Sequence, residues 1–317
     1  MKMRNFTRYL GILNYHKKNN KEKNIFIFVT PRSGSTWLME IIALQPHMKY
    51  ISEPLNIRNP FVRKHLLNHF WEILLPNPKR EEILYKYFNN LTNNKIKTLN
   101  PIPTKRYYRF YTDRIVFKIH AVKDMINWFE EKFDPHIIYL IRHPIAVTLS
   151  RKKLPRLEYF IKNKIYCEKY LNKDQSEFAK NIIRIGTNFE RGILSWCLQN
   201  LPPLKFQNNK EWIILSYEEM VLKPDKILNM LSERLNLKVF NKEIIYKPSM
   251  NIYKNDFETL NALSDSNLEK SKEFLIKKWE KRIGPEQKEM AFKILKKFEI
   301  DAYNINGYLP HNRYLNF

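Results

Sequence analysis

Seven residues fix most of what this chain can become. Thr30-Pro31-Arg32-Ser33-Gly34-Ser35-Thr36 stands between a short apolar run, Ile25 to Val29, and a segment with Leu38, Ile41 and Ile42 at helical spacing. A continuous apolar run of this length reads as a buried strand. The helix is read from Ser35 to Leu44. A strand that runs through a tight polar turn into a helix presents unpaired backbone N–H groups at the helix start, where an anion settles. Gly34 lets the backbone come close to that anion, and Ser35 and Thr36 add hydroxyl donors. Set against the phosphate loop G-x-x-x-x-G-K-[ST], Gly34 takes the second glycine, Val29 stands at the first, and Ser35 stands at the lysine. The cation sits upstream instead, at Arg32, whose guanidinium fork suits oxyanions.

Three more apolar runs read as buried strands: Ile115 to Ile119, Ile137 to Ile141 and Trp212 to Leu215. Pro144 follows the second of these and suits the first turn of a helix. Alternation of strands and helices predicts a single α/β domain with a central, mainly parallel sheet flanked by helices, similar to phosphate-loop nucleotide enzymes. Ligands of such sheets bind beyond the carboxyl ends of the strands, where both Thr30 and Arg142 fall. Residues 1–23 read as a leader and 24–317 as the domain. Phe61 to Arg109 reads as helices and loops capping the sheet. The stretch from Arg151 to Tyr170, with seven Lys or Arg and two Glu, reads as a surface helix or a lid. Gly284-Pro285 opens a helix with Met290, Ala291, Ile294 and Phe298 on its apolar face.

The segment from Phe28 to Leu38 resembles the loop with which sulfotransferases bind the 5′-phosphosulfate of PAPS (3′-phosphoadenosine 5′-phosphosulfate). Shared features are the basic residue at Arg32, Ser33, Gly34, the pair Ser35-Thr36, and Trp37 after it. The segment from Ile137 to Ser150 resembles that family's second signature, in which an Arg at a strand end and a Ser eight residues later hold the 3′-phosphate. Arg142 and Ser150 match that spacing. Ser150 lies about 9 Å along a helix that starts at Pro144, so one phosphate meets both only beside the first turns. Trp212 to Met220 is similar to a third family segment and makes Tyr217 a candidate adenine contact. The family's C-terminal glycine-rich signature is not matched. Here Phe274 to Pro285 holds Trp279 without the preceding glycines, and Lys272, Lys277 or Lys278 is left to substitute.

The resemblance implies PAPS as co-substrate and sulfuryl transfer to a hydroxyl or amine of an acceptor, with no metal. Such a transfer needs a base for the acceptor proton and cations for the leaving phosphate. Arg32 is the first candidate cation. Two base candidates compete. His120, in Phe117-Lys118-Ile119-His120, resembles the Lys-x-His segment of cytosolic sulfotransferases, where the Lys helps the sulfuryl group. Glu53, in Ser52-Glu53-Pro54, resembles the Glu-Pro segment of carbohydrate sulfotransferases. The first leans to small-molecule alcohols as acceptors, the second to carbohydrates or glycoconjugates.

Charge enters as a question of partners. Fifty-six Lys and Arg against 32 Asp and Glu give +24, which permits polyanionic company. The basic residues are dispersed and no nucleic-acid module is present, so nucleic acid is not expected as a partner. A kinase-like phosphate-loop enzyme and a non-enzymatic nucleic-acid binder are the alternative readings. Two cysteines, Cys167 and Cys197, make neither a disulfide framework nor a metal site, and the eight histidines lack ligand spacing. With no apolar run long enough to span a bilayer, the expectation is a reduced cytoplasmic protein without a membrane span.

Overall fold

The computed structural model describes residues 10–18, 21–103, 107–151, 157–205, 211–238, 240 and 268–315. The expected leader therefore lies partly outside the described residues, as does the start of the basic stretch after Arg151. Five strands form the central sheet: β1 (Ile25–Val29), β2 (Met48–Ser52), β3 (Arg114–Ile119), β4 (His136–Ile141) and β5 (Ile213–Ser216). Their order is β2-β3-β1-β4-β5, and every pairing is parallel. The helices that bear on the site are α1 (Ser35–Ala43), α2 (Arg80–Thr92), α3 (Ile126–Phe133), α4 (Pro144–Ser150), α5 (Asn188–Lys205), α6 (Tyr217–Leu222), α7 (Pro224–Arg234), α8 (Leu268–Lys277) and α9 (Pro285–Lys297).

The layers follow from the two-residue period of the strands. On β1, all five side chains are buried. Phe26 and Phe28 point to one face and pack with Leu84 and Phe88 of α2, Phe129 of α3 and Ile193 of α5. Ile25, Ile27 and Val29 point to the other and pack with Leu38 and Ile42 of α1 and Ile227 and Leu231 of α7. Helices thus cover both faces, as an all-parallel sheet requires. Phe26 is the hub of the first face. Its ring lies 4.7 Å from Phe117, 5.8 Å from Phe129 and 5.9 Å from Phe88.

The four expected strands are present, each within a residue of its expected ends. The fifth, β2, has no uniform apolar run because Lys49 and Ser52 interrupt it. Lys49 is nevertheless fully buried. Its Nζ donates to the side-chain oxygens of Asn14 at 3.2 Å, Asn94 at 2.7 Å and Asn100 at 3.0 Å. Burial, with Lys97 nearby, pushes its pKa down to about 7. This network ties residues 10–18, inside the expected leader, to the sheet. Two short parallel strands, Tyr15–His16 and Tyr111–Thr112, reinforce the tie. The basic stretch forms two short helices, Glu158–Lys162 and Lys164–Tyr170, with Tyr166 and Tyr170 buried. Among the described residues, no helix is long and apolar enough to cross a membrane.

Phe26→Ala should cost about 3–5 kcal/mol of unfolding free energy, because its neighbours belong to three different elements and cannot all close in. Urea unfolding measures this, and a loss below about 1 kcal/mol would contradict the layer packing described here.

Candidate functional site

Every strand of the sheet ends on a residue singled out from the sequence. Thr30 follows β1, Glu53 follows β2, His120 follows β3, Arg142 follows β4 and Tyr217 follows β5. Because the strands are parallel and ordered β2-β3-β1-β4-β5, these residues line one edge as Glu53, His120, Thr30, Arg142, Tyr217. The acid–base candidates occupy one half of the edge and the nucleotide candidates the other, with the loop between them.

The loop turns through two left-handed residues, Arg32 at φ 78° and Gly34 at φ 79°. A Cβ on Gly34 would lie 2.5 Å from Cδ2 of Tyr217, so glycine is required both by its backbone and by the ring against it. Ser33 is fully buried, and its Oγ has no hydrogen-bond partner. α1 begins at Ser35 with no side-chain cap, leaving its first N–H groups to the loop. Trp37, in the first turn, packs against the core beneath.

Arg142 joins the loop to the far strand. Its Nη1 donates to the carbonyl of Arg32 at 2.7 Å, its guanidinium carbon lies 3.9 Å over the Tyr217 ring, and its buried Nε has no partner. The following residue, His143, received no role from the sequence, yet it anchors this half of the site. Its backbone N–H donates to Glu218 Oε1 at 2.9 Å, and Tyr303 donates to Glu218 Oε2 at 3.0 Å. The His143 ring is stacked on Trp279 at 4.2 Å. Burial pushes Glu218 up to about 7, against the pull of the His143 N–H and Arg142. Ser150 is the last residue of α4 and half-buried. Of the C-terminal lysines, Lys277 ends α8, pairs with Glu273 at 2.5 Å and lies 4.7 Å over Tyr308. Lys272 is on the same helix and Lys278 just beyond it, and that helix packs on α6, which starts at Tyr217.

At the other half, the two rival bases are neighbours. Register pairs Ser52 of β2 with Lys118 of β3, so the ends of the two strands emerge side by side. Glu53 Oε1 is 3.2 Å from Lys118 Nζ and 3.7 Å from His120 Nδ1, and Glu53 Oε2 accepts from Asn56 at 2.8 Å. Lys118 Nζ also donates to Thr36 Oγ1 at 3.2 Å, which ties the pair to the phosphate loop. Burial pushes the Glu53 carboxyl up, but His120 when it is protonated, and Lys118 and Asn56 throughout, pull it below the usual range. Burial, then Lys118, pushes His120 down to about 3, so the ring is neutral at neutral pH. It stays 21% exposed, and its Nε2 has no partner.

Sequence reasoning missed Lys123 and Asn200. The chain turns after His120 through Val122 at φ 54°, and Lys123 is buried behind the loop. Its Nζ donates to Thr30 Oγ1 at 2.6 Å and to Asn200 Oδ1 at 2.8 Å. Neither residue belongs to a motif, so no local signal was available. Among the described residues, no group of three His, Cys, Asp or Glu is arranged to hold a metal ion.

The family model for the sulfotransferase domain matches residues 22–299. Among solved structures, the sulfotransferase domain from the curacin biosynthetic pathway is 18% identical, over 90% of this chain and 99% of that one, with a TM-score of 0.43. The mouse sulfotransferase SULT7A1 complexed with PAP is 19% identical, over 93% and 90%, with a TM-score of 0.42. The sulfotransferase domain of the Synechococcus PCC 7002 olefin synthase is 18% identical, over 91% and 99%, with a TM-score of 0.44. No curated protein matches the sequence.

The buried histidines set a pH dependence. His120 and His143 are pushed down to about 3, and His16 to about 3 and His136 to about 4, chiefly by burial. Below their unfolded value of 6.5 the unfolded chain takes up protons that the native state refuses, so stability falls as pH drops. Glu218, between 4.5 and about 7, and Glu219, raised by burial, act oppositely, but they are two groups against five histidines, because burial lowers His65 as well. Denaturant midpoints should therefore fall steadily from pH 6.5 to pH 4. A flat profile would contradict the neutral, buried state of these rings.

Proposed function

The chain belongs to the sulfotransferase domain family, and we propose that it moves the sulfuryl group of PAPS to an acceptor hydroxyl, that of a carbohydrate or glycoconjugate, with His120 as the base. The His120–Glu53–Lys118 cluster beside Thr36 carries this reading. PAPS supplies a sulfuryl group on a phosphate leaving group, and the residues at the strand ends fit it. Ser33 Oγ and Arg142 Nε are buried donors without a partner, and Gly34 leaves the loop backbone open to close approach. Arg32, Ser33, Gly34, Ser35 and Thr36 hold the 5′-phosphosulfate, with Trp37 fixing the first helical turn. Arg142 and Ser150 take the 3′-phosphate, and Tyr217 flanks the adenine.

Roles in the transfer follow from the protonation states. His120 is neutral and its Nε2 is free to accept, so it takes the acceptor proton as the acceptor oxygen bonds to sulfur. The bond from sulfur to the 5′-phosphate oxygen breaks, and its electron pair stays on the phosphate. Arg32 and Lys118 meet the charge that develops there. Glu53 has both carboxylate oxygens engaged, one by Lys118 and one by Asn56, whereas Nε2 of His120 has no partner, and that geometry favours His120 as the base. At 3.7 Å from Nδ1, Glu53 stabilises the imidazolium that His120 becomes. The Glu53-Pro54 segment, with its likeness to carbohydrate sulfotransferases, supports the acceptor class.

Transfer of labelled sulfate from PAPS to a panel of sugar, glycoconjugate and phenolic acceptors tests the assignment. His120→Asn should lower kcat by about 10²–10⁴-fold and leave the KM for PAPS nearly unchanged. Glu53→Gln should cost less. Loss of activity in Glu53→Gln with activity kept in His120→Asn would make the carboxylate the base. A folded wild type that transfers sulfate to none of these acceptors would oppose the reading.

A further inference from the structure

Two segments at the far end of the sheet are folded inside out. In residues 10–16 the polar Asn14 is buried while Ile12, Leu13 and Tyr15 face solvent. In residues 110–112 the polar Thr112 is buried while Phe110 and Tyr111 face solvent. These five apolar side chains are 37–67% exposed. They make up half of the ten exposed large hydrophobic residues among the described residues, which is not the single scatter of an ordinary surface. They also lie together. The backbone N–H of Tyr15 donates to the Phe110 carbonyl at 2.8 Å, and the Tyr15 and Tyr111 rings stack at 5.9 Å. Ile12 and Leu13 end the short helical turn Leu10–Leu13 that leads to Tyr15.

The inversion is held in place from within. Asn14 donates to the Arg109 carbonyl at 2.9 Å and accepts from Lys49 Nζ at 3.2 Å. Asn100 donates to the Gly11 carbonyl at 3.2 Å. A Cβ on Gly11 would lie 2.9 Å from the Lys97 carbonyl oxygen, so the turn sits hard against that backbone. Turning the apolar side chains inward would break this buried network, whose groups would then lack partners.

Charge selects what covers the patch. The segments that build it, residues 10–18, 95–100 and 107–112, carry Lys17, Lys18, Lys95, Lys97 and Arg109 and no Asp or Glu. Of the next carboxylates, Glu22 lies 3.3 Å from Arg114, and Asp113 precedes that arginine in the chain. A second copy seated face to face would set the same lysines against one another. Aliphatic and aromatic side chains flanked by cations suit the headgroup layer of an anionic bilayer, which takes up both. We propose that this patch docks the protein on an anionic lipid surface. Ile12, Leu13, Tyr15, Phe110 and Tyr111 enter the headgroup layer, and Lys17 and Lys18 meet its charge. The patch lies at the amino ends of β2 and β3, where Met48 pairs with Arg114, whereas Glu53 and His120 follow their carboxyl ends. Docking therefore leaves the candidate site open, and the proposal does not rest on the donor or base assignments.

Sedimentation of the full chain with phosphatidylcholine vesicles, with and without phosphatidylserine at about a third of the lipid, tests this. The phosphatidylserine vesicles should bind the wild type at least about tenfold more strongly, and added salt should weaken that binding. Leu13→Ser combined with Phe110→Ser should lower it about tenfold. Lys17→Gln combined with Lys18→Gln should do the same, and serves alone if the first variant fails to fold. Equal binding to both vesicles, or undiminished binding by the folded variants, overturns the proposal. A wild type that stays in the supernatant with both gives the face to a protein partner and overturns it too. So does a wild-type dimer, seen by light scattering, that becomes a monomer in the Leu13→Ser, Phe110→Ser variant, because a second copy then occupies the patch.

Discussion

A missing side chain holds the proposed nucleotide half of the site together. Gly34 has no Cβ, and the Tyr217 ring occupies the space where one would be. Tyr217 in turn carries the Arg142 guanidinium on its face, and Arg142 reaches back to the Arg32 carbonyl. Three strand ends, β1, β4 and β5, are thereby closed into one circuit. Any residue with a side chain at position 34 would have to push the ring away and adopt a backbone conformation it disfavours. The stack of His143 on Trp279 and the bonds of Glu218 extend the circuit to the C-terminal segment. That link fixes α4 and α8 relative to the same edge.

Backbone strain marks the same edge. Arg32, Glu53 and Val122 all have positive φ, and each lies within four residues of the end of β1, β2 or β3. Such conformations cost of order 1–3 kcal/mol each and need compensating contacts. The contacts are present. Arg142 bonds to the Arg32 carbonyl, Lys118 and Asn56 hold the Glu53 carboxylate, and the Arg80–Asp124 pair clamps the turn after Val122. Strain at these turns aims Glu53 back toward β3 and Lys123 under the loop. The site is therefore a set of re-aimed strand ends on a rigid sheet, and its precision comes from the sheet.

The sequence made the sheet legible wherever burial is uniform. Parallel strands covered on both faces are apolar throughout, and four of five were visible for that reason. β2 was hidden by Lys49, whose burial depends on asparagines at 14, 94 and 100, far away in the chain. The residues at strand ends were legible too, because loop chemistry is local. Their relations were not. Glu53 and His120 read as competitors, 67 positions apart, until the register of β2 on β3 brought them to 3.7 Å. Lys123 carries no motif, and Glu218, though it stands in the segment from Trp212 to Met220, received no role; their environments are made by Thr30, Asn200, His143 and Tyr303, residues that only the fold assembles.

The central claim is that the β1, β4 and β5 ends form one site for a nucleotide with phosphates at both the 5′ and 3′ positions. Isothermal titration of the wild type and Arg142→Ala with adenosine 3′,5′-bisphosphate and with adenosine 5′-phosphate measures it directly. The account predicts that the wild type prefers the bisphosphate by about 10–100-fold, the worth of a charge-assisted contact to the second phosphate. Arg142→Ala should bring the two ligands close to parity. A folded wild type that binds both equally, or binds neither, would contradict it.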